Sequence, residues 1–443
     1  MDTYSGNWLT FTDERLRSRA RDVVGALTAS MRHPDHVAEL GQKAEAQSPD
    51  AVWDGSSLGN GHPGVALVHL YAARAGVTPD GVETSVEFLR AAVGATAAHP
   101  LPAPGLYGGT SGLALAMADV RADEPRLAAS LDRLDRRLAE QVLGSLPPRR
   151  HGEVADHHYD VMTGLSGTLG YLCSIADPDP RVTEALTASV DYLVWLTEGH
   201  QVPPRLAIMP AQLPPYPGYL DDYPHGYVNF GMSHGVPGIV AALAAAWAAG
   251  RRTDRVREAL GRAVDRMLAA AQDDGHGPLW PTGVPLDANG DEQPRPADHD
   301  RLAWCYGTAG CAGALLSAAD ALDDDGLRER AVAAFEAVLR RRPSRDDVDV
   351  ATLCHGYAGL VNVCAEFAAT GRSPAAAAAL PAMVGELLDY ADPDRPLLFP
   401  DRGDAGELID DPALLNGAAG VALTLLAVIA DRRPAWYRAL FLR

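Results

Sequence analysis

Two cysteines, two histidines and a tyrosine stand at matching distances from a recurring glycine. Take as zero the first glycine of each glycine-x-x-glycine motif. Position −2 is then Cys305 ahead of Gly307 and Cys354 ahead of Gly356. Position −1 is His234 ahead of Gly235, Tyr306 ahead of Gly307 and His355 ahead of Gly356. Two thiolates and an imidazole are soft to borderline ligands, which suits zinc. Three protein ligands with an open fourth position is the catalytic pattern, as against the closed four-ligand structural one. The expectation is one zinc ion per chain, held by Cys305, Cys354 and His355. The competing reading makes the cysteines small core residues and His355 a helix-capping side chain; the shared register counts against it.

Water on such a zinc would give hydrolysis. Two anionic sulfur donors, however, make the ion a poorer Lewis acid and match it to a third thiolate. A substrate thiol bound there loses its proton and becomes a nucleophile at neutral pH. Thiol alkylation or addition is therefore the expected reaction class. His234 could exchange a proton with the substrate. Asp160, four residues before Gly164, could orient a histidine or hold a cation. Arg301, in DRLAWCYG, could offset negative charge on a carbonyl oxygen. For Asp160 and Arg301 a surface ion pair is the alternative. His157 and His158 read as solvated. Cys173, Cys311 and Cys364 fall in apolar stretches and read as core.

These residues need elements that bring them together, and the repeat supplies them. The motif recurs seven times, with first glycines Gly61, Gly109, Gly164, Gly235, Gly307, Gly356 and Gly417. Each pair allows a tight turn before a nearly apolar segment, which predicts a helix buried on most sides. Between motifs lie amphipathic stretches, such as Pro125–Val142 and Asp254–Gln272, that predict outer helices with one wet face. The inner helices are too apolar to line an open concave surface, and no end repeat shows a polar cap. The expected fold is all-α: a seven-fold α/α toroid of inner and outer helices, as one domain over residues 1–443. In a ring, positions −2 and −1 gather at one mouth. Two segments break the repeat. Gln201–Phe230 carries seven prolines, with Tyr216, Tyr219, Tyr223 and Tyr227, and Trp280–Asp300 contains Asn289-Gly290. Both predict loops or short strand excursions. The DANGDE stretch lacks the full spacing of a calcium loop.

The bulk numbers narrow the function. Hydrophobic residues make up 47% of 443, and the net charge is −20. The core can be large, and nucleic acid is disfavoured as a partner. The basic run Arg340–Arg342 before Pro343 predicts a helix end. No apolar run is long enough to span a bilayer, and the first residues do not form a signal peptide. Five cysteines without such a signal suggest free thiols or ligands and a cytoplasmic location.

The set DVMTGLSG, GMSHGVPG, RLAWCYGTAG and LCHGYAG resembles the lanthionine synthetase C-like family, the lanthionine-forming cyclases of lantibiotic biosynthesis. The resemblance runs through all seven glycine motifs, and the WCYG and CHG pair is its most specific part. It implies a seven-fold α/α barrel and a precursor peptide with dehydrated serines and threonines. A cysteine of that peptide would bind zinc and add to dehydroalanine or dehydrobutyrine, closing a thioether ring. It implies Cys305, Cys354 and His355 as the ligands and His234 as the acid/base. Asp160, Arg301 and Tyr306 match positions that the family uses around the zinc. A separate dehydratase is the implied partner, since no kinase or dehydratase segment is present. The chain also resembles eukaryotic cyclase-like proteins that add glutathione to dehydrated residues. A protein prenyltransferase is a more distant reading, and a non-catalytic peptide-binding scaffold with structural zinc a different one.

Overall fold

The computed structural model describes residues 8–9, 11–48, 51–98, 100–101, 103–199, 201–215, 218–294, 301–341, 348–403 and 405–442. Tyr216, the 295–300 end of the second excursion and the Arg342-Pro343 end of the basic run lie outside them.

Helices dominate the described residues. In chain order they are α1 (Glu14–Ser30), α2 (Pro34–Gln47), α3 (His62–Arg74), α4 (Gly81–Ala98), α5 (Thr110–Arg121), α6 (Ala128–Gly144), α7 (Leu165–Leu172) and α8 (Pro180–Thr197). Then come the one-turn α9 (Tyr219–Asp222), α10 (Val236–Ala248), α11 (Asp254–Ala270), α12 (Thr308–Leu322), α13 (Asp325–Arg340), α14 (Tyr357–Ala369), α15 (Pro374–Asp389) and α16 (Ala418–Ile429). Every glycine motif opens an inner helix: α3, α5, α7, α10, α12, α14 and α16. Their apolarity has its expected outcome. Each residue of α16, for example, is buried.

The outer layer is α4, α6, α8, α11, α13 and α15, each packed on the inner helix before it. The seventh outer helix is α1, which packs on α16 at the far end of the chain and so completes the circle. The fold is the α/α toroid that the repeats predict. In α1, α8, α11, α13 and α15 a side-chain cap opens the outer helix. In α11, Thr253 accepts the amide of Val256, and Val256, Ala259, Leu260, Ala263, Val264 and Met267 make the buried face.

Two features lock the ring. The second glycine of each motif lies hard against the preceding repeat. A Cβ on Gly310 would stand 2.2 Å from the Trp304 carbonyl oxygen and 2.8 Å from Met232 Cβ. One on Gly64 would meet Leu414 Cβ at 2.8 Å, so the last repeat docks on the first by the same contact. The seven-fold glycine at this position is thus a packing requirement between neighbours. The second lock is a circle of backbone hydrogen bonds through position −2. It runs from Ser233 N–H to Cys305, Cys305 to Cys354, Cys354 to Leu415, Leu415 to Gly59, Gly59 to Tyr107 and Tyr107 to Met162. It closes with the Val161 amide donating to the Ser233 carbonyl at 2.9 Å.

The proline-rich and Trp280 excursions meet as a two-stranded sheet. β1 (Tyr227–Asn229) pairs antiparallel with β4 (Gly283–Pro285), in the register Asn229 to Gly283. Between them in sequence, β2 (Gln272–Asp273) and β3 (Pro278–Leu279) form a hairpin. The described part of the basic run ends α13 and also clamps that hairpin: Arg340 Nε donates to His276 O and Arg341 to Asp274. β5 (Asp401–Arg402) and β6 (Leu408–Ile409) make a third small hairpin before the seventh motif.

Residues 435–442 fill the middle of the toroid. Tyr437 donates to Asn362 Oδ1 of α14 at 2.8 Å, and Arg438 pairs with Asp119 of α5. Phe441 stands over Gly170 of α7, and Leu442 faces Gly313 of α12. From below position −2, Tyr107 donates to the Ala439 carbonyl at 2.8 Å and Trp304 Nε1 to the Leu440 carbonyl at 3.1 Å. This segment is the floor beneath the mouth. No helix among the described residues is long and apolar enough to cross a membrane.

Candidate functional site

The hydrogen-bond circle explains how residues far apart in sequence converge. Ser233, Cys305 and Cys354 are consecutive links in it, so the motifs that carry His234, Tyr306 and His355 lie side by side. Gly307 has φ of +115°, whereas the other six first glycines are extended at negative φ. The peptide between Tyr306 and Gly307 is therefore turned differently, next to a candidate ligand, in a conformation that glycine alone adopts readily.

Cys305 is buried and Cys354 half-buried, and neither is in a disulfide. Their thiols share a hydrogen bond. Cys354 donates, which pulls the Cys305 thiol down to about 7 against the cost of burial, with help from His355 and Arg301. Cys354 is raised correspondingly, first by giving that hydrogen bond and then by burial and the charge of Cys305. The pair gives up its first proton easily and its second reluctantly. His355 Nε2 lies 3.7 Å from Asp401 Oδ1 on β5. That oxygen is buried without a hydrogen bond among the described residues. A carboxylate behind a histidine is the arrangement that orients an imidazole toward a metal.

Among the described residues, no group of three or more His, Cys, Asp or Glu side chains is close enough to form a ready metal cage. Two adjoining sulfurs and a neighbouring imidazole backed by a carboxylate nevertheless fit a borderline-soft divalent ion in chemistry.

Asp160 and His234 form a second unit. His234 Nδ1 donates to Asp160 Oδ2 at 2.6 Å. The other oxygen, Oδ1, accepts the amides of Thr163 at 2.7 Å and Gly164 at 2.6 Å. Asp160 is 2% exposed, so of its expected roles the structure favours orienting a histidine over a surface ion pair. Burial disfavours the His234 imidazolium, but the bond to Asp160 and its charge outweigh this and raise the pKa above the usual value.

Tyr306 sits between the two units. Its ring centroid lies 6.3 Å from that of His234, and the Arg301 guanidinium carbon is 5.8 Å from it. A Cβ on Gly231 would stand 2.3 Å from the Tyr306 ring, so that glycine lets the ring lie on the backbone. Arg301 is exposed and lowers both thiols. All seven residues singled out from the sequence stand around one mouth.

Three neighbours escaped sequence reasoning: Asp401, Asn229 and Gly231. Asn229 lies six residues before Gly235, the offset of Asp411 from Gly417, and each accepts the amide two residues on. Comparing that offset across repeats could have found it. His157 is exposed as expected, but His158 is half-buried and its Nδ1 accepts the Ala155 amide at 3.1 Å, capping a turn. Cys311 and Cys364 are core residues, while Cys173 is half-buried at the end of α7.

Comparison with known proteins agrees with this architecture. A solved structure named nisin cyclase matches with a TM-score of 0.77 at 22% identity, over 92% of this chain and 97% of that one, and shows the fold. The nisin biosynthesis protein NisC of Lactococcus lactis subsp. lactis is 29% identical over 263 residues, which are 59% of this chain and 62% of that protein. The match thus spans under two thirds of that relative's length. A family model described as lanthionine synthetase C-like protein matches residues 52–441. With all seven glycine motifs and the mouth inside that match, the chain belongs to the lanthionine synthetase C-like family.

Proposed function

We propose that the chain is a zinc-dependent lanthipeptide cyclase. In this reading it adds cysteine thiols of a dehydrated precursor peptide to dehydroalanine or dehydrobutyrine, closing (methyl)lanthionine rings. The observation that carries it is the meeting of a thiol pair, Cys305 and Cys354, with the His234–Asp160 unit at one mouth. Cys305, Cys354 and His355 would hold the ion, which when bound supplies the peptide thiol as a thiolate at neutral pH.

In the addition a sulfur–Cβ bond forms, the alkene electron pair moves onto the adjacent carbonyl oxygen, and Cα takes up a proton. Overall the thiol proton ends on Cα. Asp160 accepts from Nδ1 of His234, which fixes the tautomer and leaves Nε2 to deliver the proton to Cα. The Arg301 guanidinium offsets charge on the enolate oxygen. Residues 1–443 act in this reading as one domain, on a peptide prepared by a separate dehydratase.

The test pairs metal content with thiol consumption. Purified wild type should carry about one zinc per chain and consume free thiol in a dehydrated, cysteine-containing peptide; Cys354→Ala should lose both. Zinc lost in the variant, with wild type consuming thiol only when glutathione and a cysteine-free dehydrated peptide are offered, would favour intermolecular addition. No zinc in either protein after reconstitution would end the proposal.

A further inference from the structure

Asn229 is 1% exposed, and its side-chain amide makes three hydrogen bonds that engage the oxygen and both N–H groups. Oδ1 accepts the Gly231 amide at 2.8 Å. Nδ2 donates to the phenol oxygen of Tyr306 at 3.1 Å and to that of Tyr227 at 3.3 Å. The orientation of the side-chain amide is not arbitrary. A backbone N–H can only donate, so the atom facing Gly231 must be the oxygen, and the nitrogen must face the phenols. The backbone of Asn229 is held in turn by the pairing of β1 with β4, and Phe230 N–H donates to the Thr282 carbonyl at 3.0 Å.

The consequence is a matter of proton polarity. A phenol oxygen that accepts from Asn229 must direct its own proton elsewhere. A tyrosine hydroxyl carries one proton at neutral pH, so there is a proton to direct. Its neighbour Arg301 carries donors only and cannot receive it. His234 commits Nδ1 to Asp160. The phenol proton and the Arg301 fork are thus two donors beside one mouth, which suits an oxygen that gains negative charge.

Resting on the cyclase reading, we infer that Asn229 is a positioning residue: it holds Tyr306 as a hydrogen-bond donor to the substrate carbonyl oxygen that becomes the enolate. The two excursions from the repeat then have a purpose at the site, since their paired strands hold Asn229 in place.

The first arm of the test needs no turnover. The infrared difference between wild type and Tyr306→Phe isolates the C–O stretching band of this phenol, whose position reports whether the oxygen accepts or the hydroxyl donates. Wild type should show an accepting oxygen. Asn229→Asp replaces an amide donor with a carboxylate that only accepts, and should move the band to the donating position. Asn229→Ser, which lacks the amide protons, should move it as well and guards against misfolding of the first variant. An unmoved band in the folded variants overturns the inference whether or not the chain is a cyclase. The second arm is kinetic. Asn229→Asp and Tyr306→Phe should each lower kcat roughly 10²-fold, with zinc content unchanged and KM within about twofold. The double variant should be no slower than the slower single one. Losses that multiply would mean that Asn229 acts otherwise than through Tyr306.

Discussion

The sharpest consequences at the scale of single residues come from Asp160. Its bond raises the His234 pKa, so the imidazolium persists to higher pH than an ordinary histidine allows. Removing the acceptor must lower it. Asp160→Asn should shift the alkaline limb of the rate–pH profile to lower pH and slow the reaction most at the alkaline end. A limb that stays in place would show that another group sets it. The candidate ligands and His234 were legible because a shared offset from glycine needs no knowledge of three-dimensional contacts. Asp401 and Asn229 were not. Asp401 comes from a hairpin outside the glycine register, and Asn229 depends on a strand pairing that spans more than fifty residues. The paired use of Asp160 was only half legible: the residue was evident, its partner was not.

The glycines carry the element-scale predictions. Gly310→Ala forces a methyl group to within 2.2 Å of the Trp304 carbonyl oxygen of its own repeat and 2.8 Å of Met232 Cβ in the preceding one. Denaturant titration should show a loss of about 1–3 kcal/mol. A methyl group added at Gly261, within outer helix α11, would meet nothing within 4 Å. Gly261→Ala should gain about 0.5–1 kcal/mol, since helix entropy is the only thing changed. Equal effects at both sites would refute the packing account. Helix existence and layer were readable from periodicity, and the ends near Pro125 and Gln272 differ for local reasons. Pro125–Leu127 is a 3₁₀ turn ahead of α6, and Gln272 already belongs to β2. The pairing of the two excursions was not readable, because strands of three residues carry too little pattern to name a distant partner.

Considered whole, the molecule is a ring with a filled centre. The filling was missed because residues 435–442 have no glycine motif, and their concentration of Trp436, Tyr437 and Phe441 reads equally well as an ordinary helix end. Arg438 pairs there with Asp119, which is 4% exposed and also accepts from Tyr71 at 2.9 Å. Arg438→Ala leaves that carboxylate buried without its cation. A loss of roughly 3–5 kcal/mol is expected from the unfolding midpoint. Because Trp304 and Tyr107 rest on this segment, the same variant should release zinc to a chelator faster than wild type. Destabilisation with unchanged release would separate the floor from the site.

The placement of α1 against α16 has a consequence for biosynthesis. Residues 14–30 leave the ribosome long before their partner, residues 418–429, is made. At roughly 5–20 residues per second, the first helix waits about 20–80 s with its apolar stripe uncovered. A nascent chain stalled before the seventh motif should therefore be cut by protease within α1, while the completed chain resists. During synthesis the ring is an open arc, and its first helix is the surface on which a chaperone would find it.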